Sequence, residues 1–334
     1  MAETLILHHN DPSPFSEKIR VALGVKGIAW RSVHIPNMMP KPDVLPLTGG
    51  YRRTPVAQIG ADVFCDTQVI LAEIERIGPP PKLASGLDWA VNWWADRLFF
   101  HTTMPIIFGT IGDSVPEAFL KDREQLAGRP FDPKAMKAAV HPLKAQWRAQ
   151  IGWLEQQLQS NAAWLSGFAP GLADVAAYMN IWFLERNLPD VAAELLQGMG
   201  ETQAWKARVK AVGHGRSTEL DSKAALDIAK AAEPRGGIDH DPTDPIGVAP
   251  GGKVFVMADD YGRDRIEGVL VAANPERIVI AREDPAVGEL NVHFPRAGYF
   301  AGPSLSGPSR LGGNRGVGSV QQAHQRPPDL GRSS

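Results

Sequence analysis

The chain has 334 residues, 43% hydrophobic and 22% charged, and 35 Lys plus Arg against 37 Asp plus Glu leave a net charge of -2. That is the composition of an ordinary globular protein with room for two or three domains, and its balanced charge offers neither the basic field that nucleic acid needs nor a solvating acidic tail. The single cysteine, Cys65, excludes an internal disulfide, the apolar stretches fall short of the roughly 18 residues of a membrane span, and Glu3 stands where a signal peptide is basic, so a cytoplasmic protein is expected.

In chain order, the run around Leu5-Ile6-Leu7 predicts a buried strand. Pro14 suits an early helical position, and Ile19, Val21, Ala22, Leu23 and Val25 supply that helix's buried side. Gly27 ends it. Trp30 to Ile35 reads as a second strand, and the Pro- and Gly-rich stretch from Pro36 to Gly50 as a loop. Val56 to Ile59 and Val63 to Phe64 flank Gly60-Ala61-Asp62 as a hairpin. Asp66 then caps a helix to about Ile77, and Pro79-Pro80-Pro81 is a stiff linker.

Helical spacing follows over residues 87–108, 134–159, 172–187, 190–199 and 202–213, as in Trp147, Ile151, Leu154 and Leu158 on one face. Residues 217–232 read as one more helix. After a Gly-, Pro- and Asp-rich linker the period changes from 3.6 to 2. Lys253 to Met257, Ile266 to Val271, Arg277 to Ala281 and Leu290 to Phe294 are strand-like. From about Ala301 periodicity vanishes, and disorder is expected. The predicted organisation is an α/β domain over 1–80, an all-helical domain over 86–232, a small all-β domain (barrel or sandwich) over 246–300 and a disordered tail over 301–334.

Two short segments carry the chemistry. Ser13-Pro14-Phe15-Ser16 puts a small hydroxyl at a helix start. Thr54-Pro55 precedes the hairpin, and Asp66-Thr67 follows it at the start of another helix. With the order β-α-β-loop-β-β-α and the helical half behind it, the chain resembles the glutathione S-transferase superfamily, whose N-terminal half is thioredoxin-like. The resemblance covers roughly residues 1–215. The family's helix-opening capping box is matched only in its acid half by Gly171-Leu172-Ala173-Asp174, since Gly171 has no side-chain oxygen. Most members of the family end before the C-terminal strands.

The resemblance implies a homodimeric enzyme that takes glutathione as co-substrate, with no metal, and transfers it to a small apolar electrophile. Ser13 occupies the catalytic Ser or Cys position, with Ser16 as runner-up. Residue by residue, the same position also reads as a plain N-cap. Being serine, it cannot form a mixed disulfide. Thr54 stands before the family's cis-proline, here Pro55, where its backbone meets the cysteinyl part of glutathione. Asp66 and Thr67 resemble the pair that holds the γ-glutamyl group. Lys41, Arg52 and Arg53 are candidates for the glycyl carboxylate, and Lys41 is preferred. Phe15, Trp93, Trp94 and Arg97, with Phe100 and His101, would wall the second-substrate pocket. Cys65 reads as a buried hydrophobe and His8 and His9 as packed or surface residues. His240, with no second His or Cys nearby, does not make a metal site. The competing reading is a non-catalytic binding or scaffold protein of the same fold, acting through its β domain. A third possibility keeps the enzyme and makes the β domain a lid or dimer brace.

Overall fold

The first strand, β1 (Leu5–His9), is buried along its whole length: a parallel and an antiparallel neighbour take its backbone edges, and its faces enter two apolar layers, Leu5 and Leu7 one and Ile6 the other. The computed structural model describes residues 4–160 and 162–304. Burial obliges the two histidines of β1 to find polar partners. His8 Nε2 pairs with Gln58 Oε1 at 2.9 Å, and His9 Nε2 with Ser32 Oγ at 3.0 Å. Helix α1 (Pro14–Val25) starts at Ser13, whose Oγ accepts the Ser16 amide at 3.1 Å, with Pro14 at the position where a missing N–H costs nothing. Strand β2 (Ala29–His34) then lies parallel to β1. A single helical turn, α2 (Leu45–Thr48), interrupts the Pro/Gly-rich loop. Strands β3 (Val56–Ile59) and β4 (Asp62–Cys65) form the expected hairpin through Gly60 at φ +58°. Helix α3 (Thr67–Ile77) begins at Asp66.

The helical half comprises α4 (Gly86–Trp94), a widened π turn over Ala95–Phe99, α5 (Phe100–Ile111), α6 (Glu117–Ala127), α7 (Pro133–Gln159), α8 (Leu172–Asn187), α9 (Pro189–Leu195) and α10 (Gly200–Val212). Trp147, Ile151, Leu154 and Leu158 are buried along one face of α7, each such side chain contributing roughly 1.5–3 kcal/mol on leaving water. The Trp147 indole donates to Thr103 Oγ1 at 3.1 Å. At the start of α8, Asp174 accepts from the Gly171 amide at 2.9 Å and also from the Leu165 amide and the Trp205 indole, so one buried carboxylate ties three segments.

The C-terminal region continues the first sheet. Strand β5 (Arg216–Glu219) pairs parallel with β2, where the sequence pattern predicts only helix. It is exposed at every position, so no apolar alternation marks it. After α11 (Ser222–Lys230) come β6 (Lys253–Ala258), β7 (Ile266–Ala273), β8 (Arg277–Asp284) and β9 (Gly288–Pro295), an antiparallel meander, with β10 (Tyr299–Pro303) returning beside β6. Strand β9 pairs in parallel with β4. The second edge of β9 is therefore taken, and the meander joins the N-terminal strands in one ten-stranded sheet, β10-β6-β7-β8-β9-β4-β3-β1-β2-β5, rather than closing on itself as a barrel. The pairing also covers what would be an unpaired edge on β4. A shared apolar layer, including Val56, Val63, Leu270, Ile280, Val292 and Phe294, welds the two parts, and residues up to Ser304 form one compact unit.

The expected tail boundary at 301 needs correction. Ala301-Gly302-Pro303 are the end of β10, with Gly302 opposite Phe255. Their composition hides them, but an edge strand tolerates Gly and Pro because its outer face needs no ladder bonds. The remainder of that expected tail, residues 305–334, lies outside the described residues. Among the described residues no helix is long and apolar enough to cross a membrane.

Candidate functional site

A cleft lies where the loop before β3, the start of α3 and the π turn before α5 face one another. Its thioredoxin-like side is formed by Phe15, Arg53, Thr54, Pro55, Asp66 and Thr67, together with Tyr51 and Gln68. The Thr54–Pro55 peptide is cis. Asp66 sits at φ +90°, a backbone conformation costly for a residue with a Cβ and one that concentrates at functional sites. The Asp66 Oδ1 accepts the Gln68 amide at 3.0 Å, so the carboxylate caps α3. Its Oδ2 accepts the Tyr299 hydroxyl at 3.0 Å and lies 3.9 Å from the Arg53 guanidinium.

The helical side is formed by Trp93, Asp96 and Arg97. Arg97 lies 4.3 Å from the Trp93 ring centroid, a cation–π pair. Phe15 packs on Phe100, with ring centroids 5.0 Å apart. Behind this wall the Lys18 ammonium is fully buried. It donates to both Asp96 oxygens at 2.7 Å and to Asn92 Oδ1 at 3.0 Å. Burial raises the Asp96 carboxyl above its ordinary range, and Lys18 pulls against that rise. Sequence reasoning passes over both groups. The available signal is slight: a lysine one turn ahead of the apolar Val21-Ala22-Leu23 run of α1, and an acid four residues after an asparagine in a Trp-rich helix.

The third side comes from the C-terminal region. The loop between β6 and β7 brings Asp260 and Tyr261 into the cleft. The Arg53 guanidinium bonds the Asp260 carboxylate and the Tyr261 carbonyl, and it lies 4.0 Å from the Tyr261 ring centroid. Arg97 forms ion pairs with Asp259 at 2.8 Å and Asp260 at 3.2 Å. Burial raises the Tyr261 hydroxyl to about 12, so it stays protonated at neutral pH. About 40 Å³ of free space remains in the cleft, room for a water or two, where small-molecule pockets run from roughly 300 Å³ upward.

Ser13, Lys41 and Trp94 do not line this cleft. Ser13 is half-buried at the head of α1, two residues before Phe15. The runner-up Ser16 is fully buried and its Oγ has no hydrogen-bond partner. Lys41, expected to bind ligand directly, is buried and donates to the Arg52 carbonyl and to Thr54 Oγ1, at 2.8 and 2.7 Å, so it braces the loop before Pro55. Burial lowers its ammonium to about 8, and the neighbouring Arg123 works in the same direction. Arg52 pairs with Asp122 at 2.9 Å, which leaves Arg53 as the cleft cation among the three candidates. Trp94 turns into the helical core, stacked on Phe99 at 4.9 Å with its indole donating to Gln150 Oε1. Consecutive helical residues face about 100° apart, so Trp93 and Trp94 do not share one wall. His101 is exposed. Cys65 is buried, and burial pushes its thiol well above the usual range. His240 accepts the Ala273 amide through Nδ1. Among the described residues no three His, Cys, Asp or Glu side chains are grouped to hold a metal ion.

Residues 7–82 match the family described as the glutathione S-transferase N-terminal domain. A solved GST-like protein from Pseudomonas syringae is 35% identical, with a TM-score of 0.75, covering 91% of this chain and 100% of its own. Coverage of that extent cannot be reached without C-terminal strands. FzlA from C. crescentus is 23% identical, with a TM-score of 0.45, over 62% of this chain and 88% of its own. A glutathione S-transferase III in apo form is 20% identical, with a TM-score of 0.44, over 62% of this chain and 92% of its own. No curated protein matches the sequence.

Proposed function

The chain belongs to the glutathione S-transferase superfamily, and from that premise we propose that it is a glutathione transferase of serine type. The observation that carries this reading is the convergence of Thr54, Pro55 and the Asp66-Thr67 helix start in one cleft with Phe15 of α1. Glutathione lies along the cleft with its γ-glutamyl group at Asp66 and Thr67. There a carboxylate meets its ammonium, and the helix N-terminus meets its carboxylate. The Thr54 backbone meets the cysteinyl part, and Arg53 is the cation nearest to hand for the glycyl carboxylate. The sulfur points to the head of α1.

A glutathione thiol has an ordinary pKa of roughly 8.5. The free amides at the head of α1 and the helix dipole favour its thiolate. A hydroxyl has one proton to donate and two lone pairs. Because Ser13 Oγ accepts the Ser16 amide, its proton is available to the sulfur. The thiolate then attacks a small apolar electrophile held against Phe15 and Trp93. A homodimer and a cytoplasmic setting belong to the same proposal, the latter in keeping with Cys65 as a free thiol. The scaffold alternative has less support, because the C-terminal strands pack into the shared sheet and one of their loops fills the cleft.

The test is a calorimetric titration with glutathione beside a turnover assay with a chromogenic electrophile. Binding in the micromolar to millimolar range, lost in Asp66→Ala, is expected. Ser13→Ala should keep the affinity and lose about 10- to 100-fold in turnover. Absence of heat at millimolar glutathione removes the transferase reading, and full turnover by Ser13→Ala removes the serine from the mechanism.

A further inference from the structure

The cleft that the glutathione reading needs is filled by the chain itself. The filling segment is the β6–β7 loop, from Asp259 to Arg265. Its ends are anchored, since Val256, Ala258 and Ile266 are buried in the sheet core. Its tip is held differently. Asp259 and Asp260 pair with Arg97, Asp260 and the Tyr261 carbonyl meet Arg53, and the Gly262 amide donates to the Leu126 carbonyl of α6 at 2.6 Å. Tyr261 belongs to neither apolar core; its ring faces the Arg53 guanidinium. The tip is therefore fastened chiefly by polar contacts, its carboxylates on two arginines and the Gly262 amide on Leu126, with the Tyr261 ring covering the Arg53 guanidinium.

Such contacts exchange one for one. A ligand carboxylate arriving at Arg53 or Arg97 replaces a protein carboxylate with little change in charge or desolvation, whereas an apolar plug would have to be pulled into water. The glycyl carboxylate of glutathione is the one assigned to Arg53, and Asp260 holds that arginine while the loop is in place. We propose that the β6–β7 loop is a tethered occupant of the cleft: Asp260, on Arg53, stands in the place of the ligand's glycyl carboxylate, Asp259 adds a second hold on Arg97, and glutathione enters by displacing them. This rests on the glutathione reading of the cleft and adds to it a built-in competitor. Apparent affinity is then the intrinsic affinity scaled by the fraction of molecules with the loop lifted.

The experiment titrates glutathione into the full-length wild type and into D259N/D260N, which keeps side-chain shape and removes the charge. The variant is expected to bind about tenfold tighter, or about 1.4 kcal/mol. A second measurement needs no variant. Hydrogen exchange at the Gly262 amide of the wild type should accelerate on saturation with glutathione, as its bond to Leu126 opens. Glutathione dimethyl ester, which lacks both carboxylates, should leave that amide protected. Equal affinity in the two proteins, or a Gly262 amide that glutathione leaves unchanged, overturns the inference while the glutathione reading stands. Deprotection by the ester overturns the carboxylate exchange. Failure of both proteins to bind glutathione at millimolar concentration removes the glutathione reading and this inference with it.

Discussion

Inside the cleft wall, Lys18 meets Asp96 and Asn92; across the cleft opening, Arg53 and Arg97 meet Asp260 and Asp259. Both clusters pin distant segments by opposite charge, but they sit in different surroundings. The Lys18 side chain is 0% exposed, while Arg97 and Asp259 are 20% and 30% exposed. The inner ammonium can exchange neither partner for water, so its three acceptors are a condition of burying it. Of the outer guanidinium groups Arg97 keeps access to solvent and to incoming anions, whereas Arg53, 9% exposed, is covered by the loop it holds. The same chemistry thus builds a fixed wall in one place and a removable contact in the other, and the surrounding dielectric decides which.

The sharpest way to break this contrast is to remove the inner cation. Lys18→Met leaves Asp96 buried beside an apolar chain, and the loss of stability is expected at about 3–5 kcal/mol. Urea unfolding of the full chain measures it. K18M/D96L, which removes both charges, should regain most of that loss, since a charge-free pair has no desolvation to offset. A single variant within 1 kcal/mol of the wild type would show that Asp96 finds water without Lys18, and the two clusters would then be alike.

How far the sequence announces these features depends on the range of the physics. The Asp66 cap is legible because a helix N-terminus is a local matter settled within a few residues, whereas the cis Thr54–Pro55 bond is expected only from the resemblance, since an X–Pro bond is by default trans. The faces of α7 and α8 are legible from periodicity, and α8 keeps the expected bounds of 172–187. The misplacement of Trp94 comes from treating neighbouring aromatics as one wall without asking which way each faces. The pairing of β4 with β9 leaves no side-chain signature, because ladder bonds are made by the backbone of any sequence. Least legible is the loop in the cleft. Asp259-Asp260-Tyr261-Gly262 reads locally as a polar turn, and its partner Arg53 is 207 positions away. Only the folded sheet brings the two together.

A titration sharpens the contrast further, because buried groups of the thioredoxin-like half respond to acid through the histidines of β1. Burial lowers His8 to about 4. Burial, with Arg20 next in effect, lowers His9 to about 3. The Arg20 guanidinium donates to His9 Nδ1 at 3.0 Å, so that nitrogen has no place for a proton. The unfolded chain protonates both near pH 6.5 while the folded chain does not. Their contribution is therefore complete above 6.5 and declines as pH falls toward 4. A loss on the order of 2–3 kcal/mol is expected between pH 7.5 and 5.5. The urea midpoint followed across that range reads it, and a flat midpoint would show that the imidazoles take up protons in the folded chain.

The smallest expected effect is the most direct test of the opening. Arg97→Gln removes the cation shared by Asp259 and Asp260 and its stacking on Trp93. Because these groups keep part of their hydration, the change in stability should be about 1 kcal/mol or less. The remaining Arg53 contacts and the Gly262 amide still hold the tip of the loop. The ion pairs also screen, so the small deficit should shrink further as salt is raised toward 1 M. A loss of several kcal/mol, insensitive to salt, would mean that the outer cluster is as structural as the inner one. The loop would then be a fixed wall of the cleft, and glutathione would have to bind elsewhere or not at all.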